Sequence, residues 1–322
     1  MYNSGRSINN HFFRLLKKII LCRKVFSRFS RKDKANRILH IQFIAFENIF
    51  YLYFFRRCFS YYVLSFWGSD LLKQSKGKLL LMLPLFFFSK KITFETEEMK
   101  DIFLEKLPLF RNSRKLCYAR FGLSELDEID KISPENLDSF RTEYGLEKSL
   151  PVVVLGYNRR IEQQHIPVLE SIEEDLSKKI QFLIPWSYGN LEEGYYEKLH
   201  KILEDKKCKY VFMKKFLTDK EIACLRLITD IFIQVQITDS LSACMLESLY
   251  AGKKVITGSW LPYKFLDEKG IKMFKVDNPS EVGNVLTSIL NDKNINAKKN
   301  SEVVASFAKW NECINDWLSL YE

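Results

Sequence analysis

At 322 residues the chain has room for two α/β domains, each with its own core. Hydrophobic residues make up 47% and charged residues 28%, an ordinary globular balance that excludes a disordered or fibrous chain. The whole net charge of +10 sits in residues 1–37, where eleven Lys and Arg face only Asp33. Interleaved Phe12, Phe13, Leu15, Leu16, Ile19, Ile20 and Leu21 suit that segment to an anionic membrane surface. A solvated helix packed on the domain is the alternative. Nucleic acid could use the same charge, but no recognised binding motif accompanies it, so no nucleic-acid partner is expected. No secretory cleavage site follows the segment. The seven scattered cysteines form no C-x-x-C pair, which fits a reducing compartment and gives no zinc or disulfide framework. Four isolated histidines and the absence of any Asp-x-Asp triplet disfavour a metal site.

Strands and helices are expected to alternate through residues 38–146. Strands are read at Ile38–Phe43, Tyr61–Phe66, Ile92–Phe94 and Lys115–Ala119. Helices are read at Ala45–Phe59, after Asp70, and at Glu97–Lys106. The longest apolar run, Leu79–Phe88, is far short of the roughly 20 residues a spanning helix needs. It reads as a buried helix, or as one dipping into a membrane interface. A polar stretch, Ser124–Ser149, is the expected connection between domains.

Alternation resumes over 147–322. Strands are read at Pro151–Leu155, Ile180–Pro185, Tyr210–Met213 and Ile231–Ile237, and helices at Gln163–Leu176, Tyr195–Asp205 and Thr218–Ile228. Thr218 with Glu221 three residues later forms a capping box. Two C-terminal helices finish the chain. This order implies two facing doubly wound, Rossmann-like domains with ligands at the carboxyl ends of the strands. The first domain looks shortened, since residues 1–37 give no strand signal.

Residues 234–263 carry the most specific pattern. The strand at Ile231–Ile237 ends in a polar turn (Thr238, Asp239, Ser240). A helix follows with Leu241, Met245 and Leu249 on one face, closed by Ala251-Gly252 before a strand at Val255-Ile256. Asp239 and Glu247 stand eight positions apart, one at the helix mouth and one within the helix. A cleft-facing helix N-terminus beside two fixed carboxylates suits a phosphorylated, polyhydroxylated ligand, which makes this a nucleotide-sugar site candidate.

These residues resemble retaining glycosyltransferases of the GT-B fold, family 4 type, over about residues 38–322. The Asp239–Glu247 spacing and Ala251-Gly252 carry the likeness, with Phe216–Glu221 and Leu227–Phe232 upstream. Trp67-Gly68-Ser69-Asp70 is similar to a turn of the family's N-terminal domain, and Phe121-Gly122 to the turn before its linker. Gly156-Tyr157-Asn158, Gln164-His165 and Ile184–Gly189 with Tyr196 are similar to the enterobacterial common antigen 4-acetamido-4,6-dideoxygalactose transferase. Two departures stand out: Asp239 replaces the commoner glutamate, and the family's Gly-Arg plus Lys pair is absent.

The resemblance implies transfer of a sugar from a nucleotide diphosphate donor to a lipid-linked acceptor of a surface polysaccharide. The enzyme would work on the cytoplasmic face of the cell membrane, without metal or cofactor. Family 4 implies retention of configuration, whereas the antigen transferase implies inversion. Expected catalytic residues are Asp239, Glu247 and Asp70. Glu247 would take the ribose hydroxyls and Asp239 the donor sugar. Expected donor contacts are Gly156, Asn158, Arg159, His165, Ser187, Tyr188, Gly189, Ser240, Leu241, Ser242 and Glu247, with Arg160 a further cation near the diphosphate. Bland readings stand beside these: Glu247 paired with a lysine, Asp239 or Asp70 as a helix cap, and His165 as a packing residue. A catalytically silent subunit of the same fold, binding a partner transferase or the membrane, is the alternative function.

Overall fold

The computed structural model describes residues 37–291 and 298–322, together with Leu16, Lys17, Ile20, Leu21 and Lys24. The rest of the basic segment expected to face a membrane lies outside the described residues. The chain divides into two compact units, Met1–Ala119 with Asp316–Glu322, and Arg120–Asn315. That division falls earlier than the 146/147 boundary read from sequence. The reason is packing: Leu126, Ile129 and Phe140, on helices Glu125–Ile129 and Pro134–Glu143, join one apolar core with Ala223, Leu225 and Ile228.

In the first unit four parallel strands run in the order β1 (Ile38–Gln42), β2 (Tyr61–Ser65), β3 (Lys91–Phe94) and β4 (Leu116–Tyr118). Tyr62, Val63, Leu64 and Ser65 of β2 are all buried, as both faces of a covered parallel sheet must be. The core is phenylalanine-rich: Phe66 stacks on Phe94 at 5.6 Å, and Phe103 meets both. Such offset pairs each add about 0.5–1.5 kcal/mol beyond area burial. The helix Glu97–Lys106 has the bounds read from sequence, fixed by Thr96, whose hydroxyl accepts from the Met99 amide.

The C-terminal tail belongs to this unit. His40 bridges Tyr321 Oη at 2.7 Å and Ser65 Oγ at 2.7 Å, and its ring lies against Trp317. Burial lowers the His40 pKa to about 4, so the ring is neutral in this linkage.

The second unit holds six parallel strands: β5 (Val152–Leu155), β6 (Gln181–Pro185), β7 (Lys209–Met213), β8 (Ile231–Gln234), β9 (Lys254–Gly258) and β10 (Phe274–Val276). Their order is β10-β9-β8-β5-β6-β7. From β5 the chain steps outward to β6 and β7, then returns to the other side of β5 for β8, β9 and β10. The β5/β8 gap is therefore the topological switch point, where open α/β sheets bind ligands.

Two expectations need correction. The helix expected at Gln163–Leu176 is split into Ile161–Gln163, His165–Glu170 and Glu174–Ser177. Gln164 is left-handed (φ 58°), and the break at Ser171 is where Gly283 packs, a Cβ there falling 2.0 Å from the Ser171 carbonyl oxygen. Beyond β9, strand β10 and the helices Lys264–Glu268, Val282–Asn291, Lys298–Ala308 and Trp310–Leu318 replace the two helices expected.

Candidate functional site

The loops at the switch point start from β5 and β8. Gly156 follows β5 with φ +65°, its amide donating to the Ile233 carbonyl at 3.1 Å. A Cβ there would lie 2.8 Å from Gln163 Oε1 and 3.1 Å from His165 Nε2, so only glycine fits. Asn158 is buried and turns the chain by accepting from the Arg160 amide at 3.0 Å. Arg159 donates from Nε to the Gly189 carbonyl at 2.7 Å, and the Arg160 stem lies under Gly189, 2.7 Å from where a Cβ would sit. The β5 and β6 loops are thus tied together.

His165 lies wholly inside the unit. Nδ1 meets Tyr195 Oη at 3.0 Å, while Nε2 faces the underside of the Gly156 loop without a partner. Burial drives its pKa to about 3. It is a neutral packing group beneath the loop. An unfolded histidine takes up its proton near pH 6.5, whereas folded His40 and His165 resist until about 4 and about 3. The unfolded chain therefore binds more protons than the native one between those values. Stability is full above pH 6.5 and should fall as pH drops through that window, the fully buried His165 ring contributing a slope of up to about 1.4 kcal/mol per pH unit and the half-buried His40 less. Urea denaturation from pH 7.5 to 4.5 checks this, and His165→Gln should flatten part of the slope. Equal stability at pH 7 and pH 5 would contradict it.

Two buried glutamines, Gln234 and Gln236, stand at the end of β8 and just beyond it. Gln236 Oε1 accepts from Tyr157 Oη at 2.9 Å and from Gln163 Nε2 at 2.8 Å. Gln234 Nε2 donates to Asp239 Oδ2 at 3.0 Å, and Tyr263 Oη donates to the same oxygen at 2.5 Å. The Ser240 amide donates to Oδ1 at 2.8 Å. Burial pushes the Asp239 carboxyl above its usual range, opposed by these bonds. Gln234 Oε1 and Thr257 Oγ1 are buried without protein partners, so this floor keeps polar capacity in reserve.

Asp239 does not cap the helix. Ser242 does, its hydroxyl accepting from the Met245 amide, and the helix is Ala243–Tyr250, two residues later than expected. Ser240 and Ser242 are buried, and Leu241 is half-buried. Glu247 lies inside that helix, paired with Arg226 rather than a lysine. Arg226 Nε donates to Glu247 Oε2 at 2.8 Å, with both side chains about 5% exposed. Arg226, on helix Asp219–Ile228, was not singled out in the sequence; a lone cation within Ala223–Ile228 was the only signal.

Beside this pair opens a cavity of about 170 Å³, lined by Tyr157, Ser187, Tyr188, Phe216, Arg226 and Cys244 among others. Tyr188 stacks on Phe216 at 6.1 Å and 15°, giving a flat aromatic wall. Burial pushes the Cys244 thiol up to about 12, so it stays protonated. Ser187, Tyr188 and Glu247's partner Arg226 therefore meet at one cavity, while Gly156, Asn158, Arg159 and Gly189 form the neighbouring rim.

Asp70 belongs to the first unit. It is fully buried, its oxygens accepting from the Ile44 and Trp67 amides at 2.7 and 2.8 Å. It clamps the loops after β1 and β2, and burial raises its carboxyl.

No family model matches the chain, and no curated protein is similar to it in sequence. Solved structures are similar in fold. A glycosyltransferase from Rickettsia africae superposes with TM-score 0.72 at 18% identity, covering 100% of this chain and 83% of its own. Anabaena HepE in complex with UDP and glucose gives TM-score 0.69 at 15% identity, covering 87% and 77%. Sucrose-phosphate synthase from Thermosynechococcus elongatus gives 0.70 at 11%, covering 96% and 78%. Two parallel-sheet α/β units matching these structures give the chain the GT-B fold.

Proposed function

We propose that this protein is a glycosyltransferase moving a sugar from a nucleotide diphosphate donor to a lipid-linked saccharide of a surface polysaccharide. The observation that carries the reading is the convergence, at one switch point, of the Gly156 loop, the Asp239 segment and the cavity beside Arg226 and Glu247. A protein of similar fold takes matching ligands: HepE has been crystallised with UDP, with UDP and glucose, and with UDP-glucose.

In this reading the Tyr188–Phe216 wall takes the base, and Glu247 Oε1 takes the ribose hydroxyls while Oε2 holds Arg226. The diphosphate lies over the Gly156 loop and the start of helix Ala243–Tyr250, facing unpaired amides and the positive dipole end. Arg159 and Arg160 add positive charge as the leaving group develops, with no metal called for. Asp239 faces donor hydroxyls, since a carboxylate aimed at phosphate would repel it. Retention of configuration and a place on the inner face of the cell membrane complete the proposal.

The buried clamp made by Asp70 favours one rival reading, a catalytically silent GT-B subunit that binds a partner transferase or the membrane. Incubation with a panel of UDP-, GDP- and dTDP-sugars separates the two. Release of nucleoside diphosphate from at least one donor is expected. No release from any donor would favour the silent subunit.

A further inference from the structure

The apolar run Leu79–Phe88 is only half used by the first unit. It forms two short helices, Lys76–Leu81 and Leu83–Phe88, whose inner face (Leu79, Met82, Leu85, Phe86) is buried. The outer face is equally apolar yet open to solvent: Leu80 is 42%, Leu81 63%, Phe87 55% and Phe88 44% exposed. The adjoining helix Asn48–Phe55 adds Tyr53 at 81% and Phe54 at 53%. The two groups meet where Arg56 lies 3.8 Å over the Phe88 ring. A helix apolar on both faces needs a second apolar phase on its outer side.

Charge selects the occupant. Between Ile38 and Phe94 there are seven Lys and Arg (Arg56, Arg57, Lys73, Lys76, Lys78, Lys90, Lys91) and two acids, Glu47 and the buried Asp70. Lysines bracket the ridge at both ends, as in helices lying at a headgroup boundary. A second copy of this face would bring like charge against like charge.

We propose that this ridge seats the first unit on an anionic lipid bilayer, with Phe54, Leu81 and Phe87 reaching the acyl boundary and Arg56, Lys78 and Lys90 at phosphate level. The contact is separate from the basic segment 1–37 and independent of the donor site, so nucleotide binding survives its loss.

The test is vesicle co-sedimentation of the full chain and of its Phe54→Glu/Leu81→Glu/Phe87→Glu variant. Vesicles are phosphatidylcholine with 30% phosphatidylglycerol, or phosphatidylcholine alone. The full chain should prefer the anionic vesicles, and the triple variant should partition at least tenfold more weakly, while Leu191→Glu/Ile314→Glu on the second unit partitions normally. As a fold-conserving check, Phe54→Trp should add blue-shifted emission on anionic vesicles that brominated lipid quenches. Three results would overturn the proposal: unchanged partition of the triple variant, no added blue-shifted emission from the vesicle-bound Phe54→Trp variant, or a dimer in solution that the triple variant dissociates.

Discussion

Arg226→Met should cost the second unit about 3–5 kcal/mol of stability, because it leaves the Glu247 carboxylate buried without its cation. Against a typical total of roughly 5–15 kcal/mol, that brings the unit close to unfolding at 37 °C. The double variant Arg226→Met/Glu247→Leu should recover most of the loss, since removing both charges removes the unpaired one. Urea denaturation of the two variants and the parent measures this coupling. A single variant within about 1 kcal/mol of the parent would mean the pair is not shielded from water as its burial implies.

Glu247→Gln should lower stability by less than Arg226→Met does, since Arg226 loses its buried counter-charge but keeps a hydrogen-bond acceptor, and should weaken nucleotide binding at least tenfold, a loss of about 1.4 kcal/mol. The amide oxygen still accepts from Arg226 Nε, so the helix pair Asp219–Ile228 and Ala243–Tyr250 keeps its link. The ribose hydroxyls, however, would trade a charged acceptor for a neutral amide. Hydrogen bonds to charged groups contribute about 1.5–3 kcal/mol against roughly 1 for neutral ones. Unchanged affinity in the folded variant would remove Glu247 from the donor site and leave it as Arg226's partner alone.

The alternation of strands and helices was legible because apolar runs bounded by turn residues are local signals. Helices Glu97–Lys106 and Tyr195–Asp205 have the bounds expected from sequence. Strand β10 was not, being three residues long with Lys275 at its centre. At the site, Asp239, Ser240 and Ser242 are all residue types that cap helices, and propensity cannot choose among them. The choice is tertiary: Gln234 and Tyr263 hold Asp239 away from the helix, leaving the cap to Ser242. Arg226 and Glu247 are 21 positions apart on different helices, so no periodicity announces their pairing. Gln234 and Gln236 sit in what reads as an apolar strand end. Their burial is explained only by the tyrosine and carboxylate partners that the fold brings to them.

The resemblance placed two carboxylates at the donor site, and the fold gives them different company. Glu247 shares a buried ion pair with Arg226, which lines the cavity, whereas Asp239 is held by neutral donors in a setting that raises its carboxyl. Separate environments for the two acids fit separate roles, one at the ribose and one at the sugar.

Calorimetric titration of UDP and GDP into the full-length chain tests the central claim most directly. Saturable binding of one of them is predicted, weakened at least tenfold by Glu247→Gln. Absence of heat with both nucleotides, and with every common nucleotide-sugar, would contradict a donor site at the β5/β8 switch point.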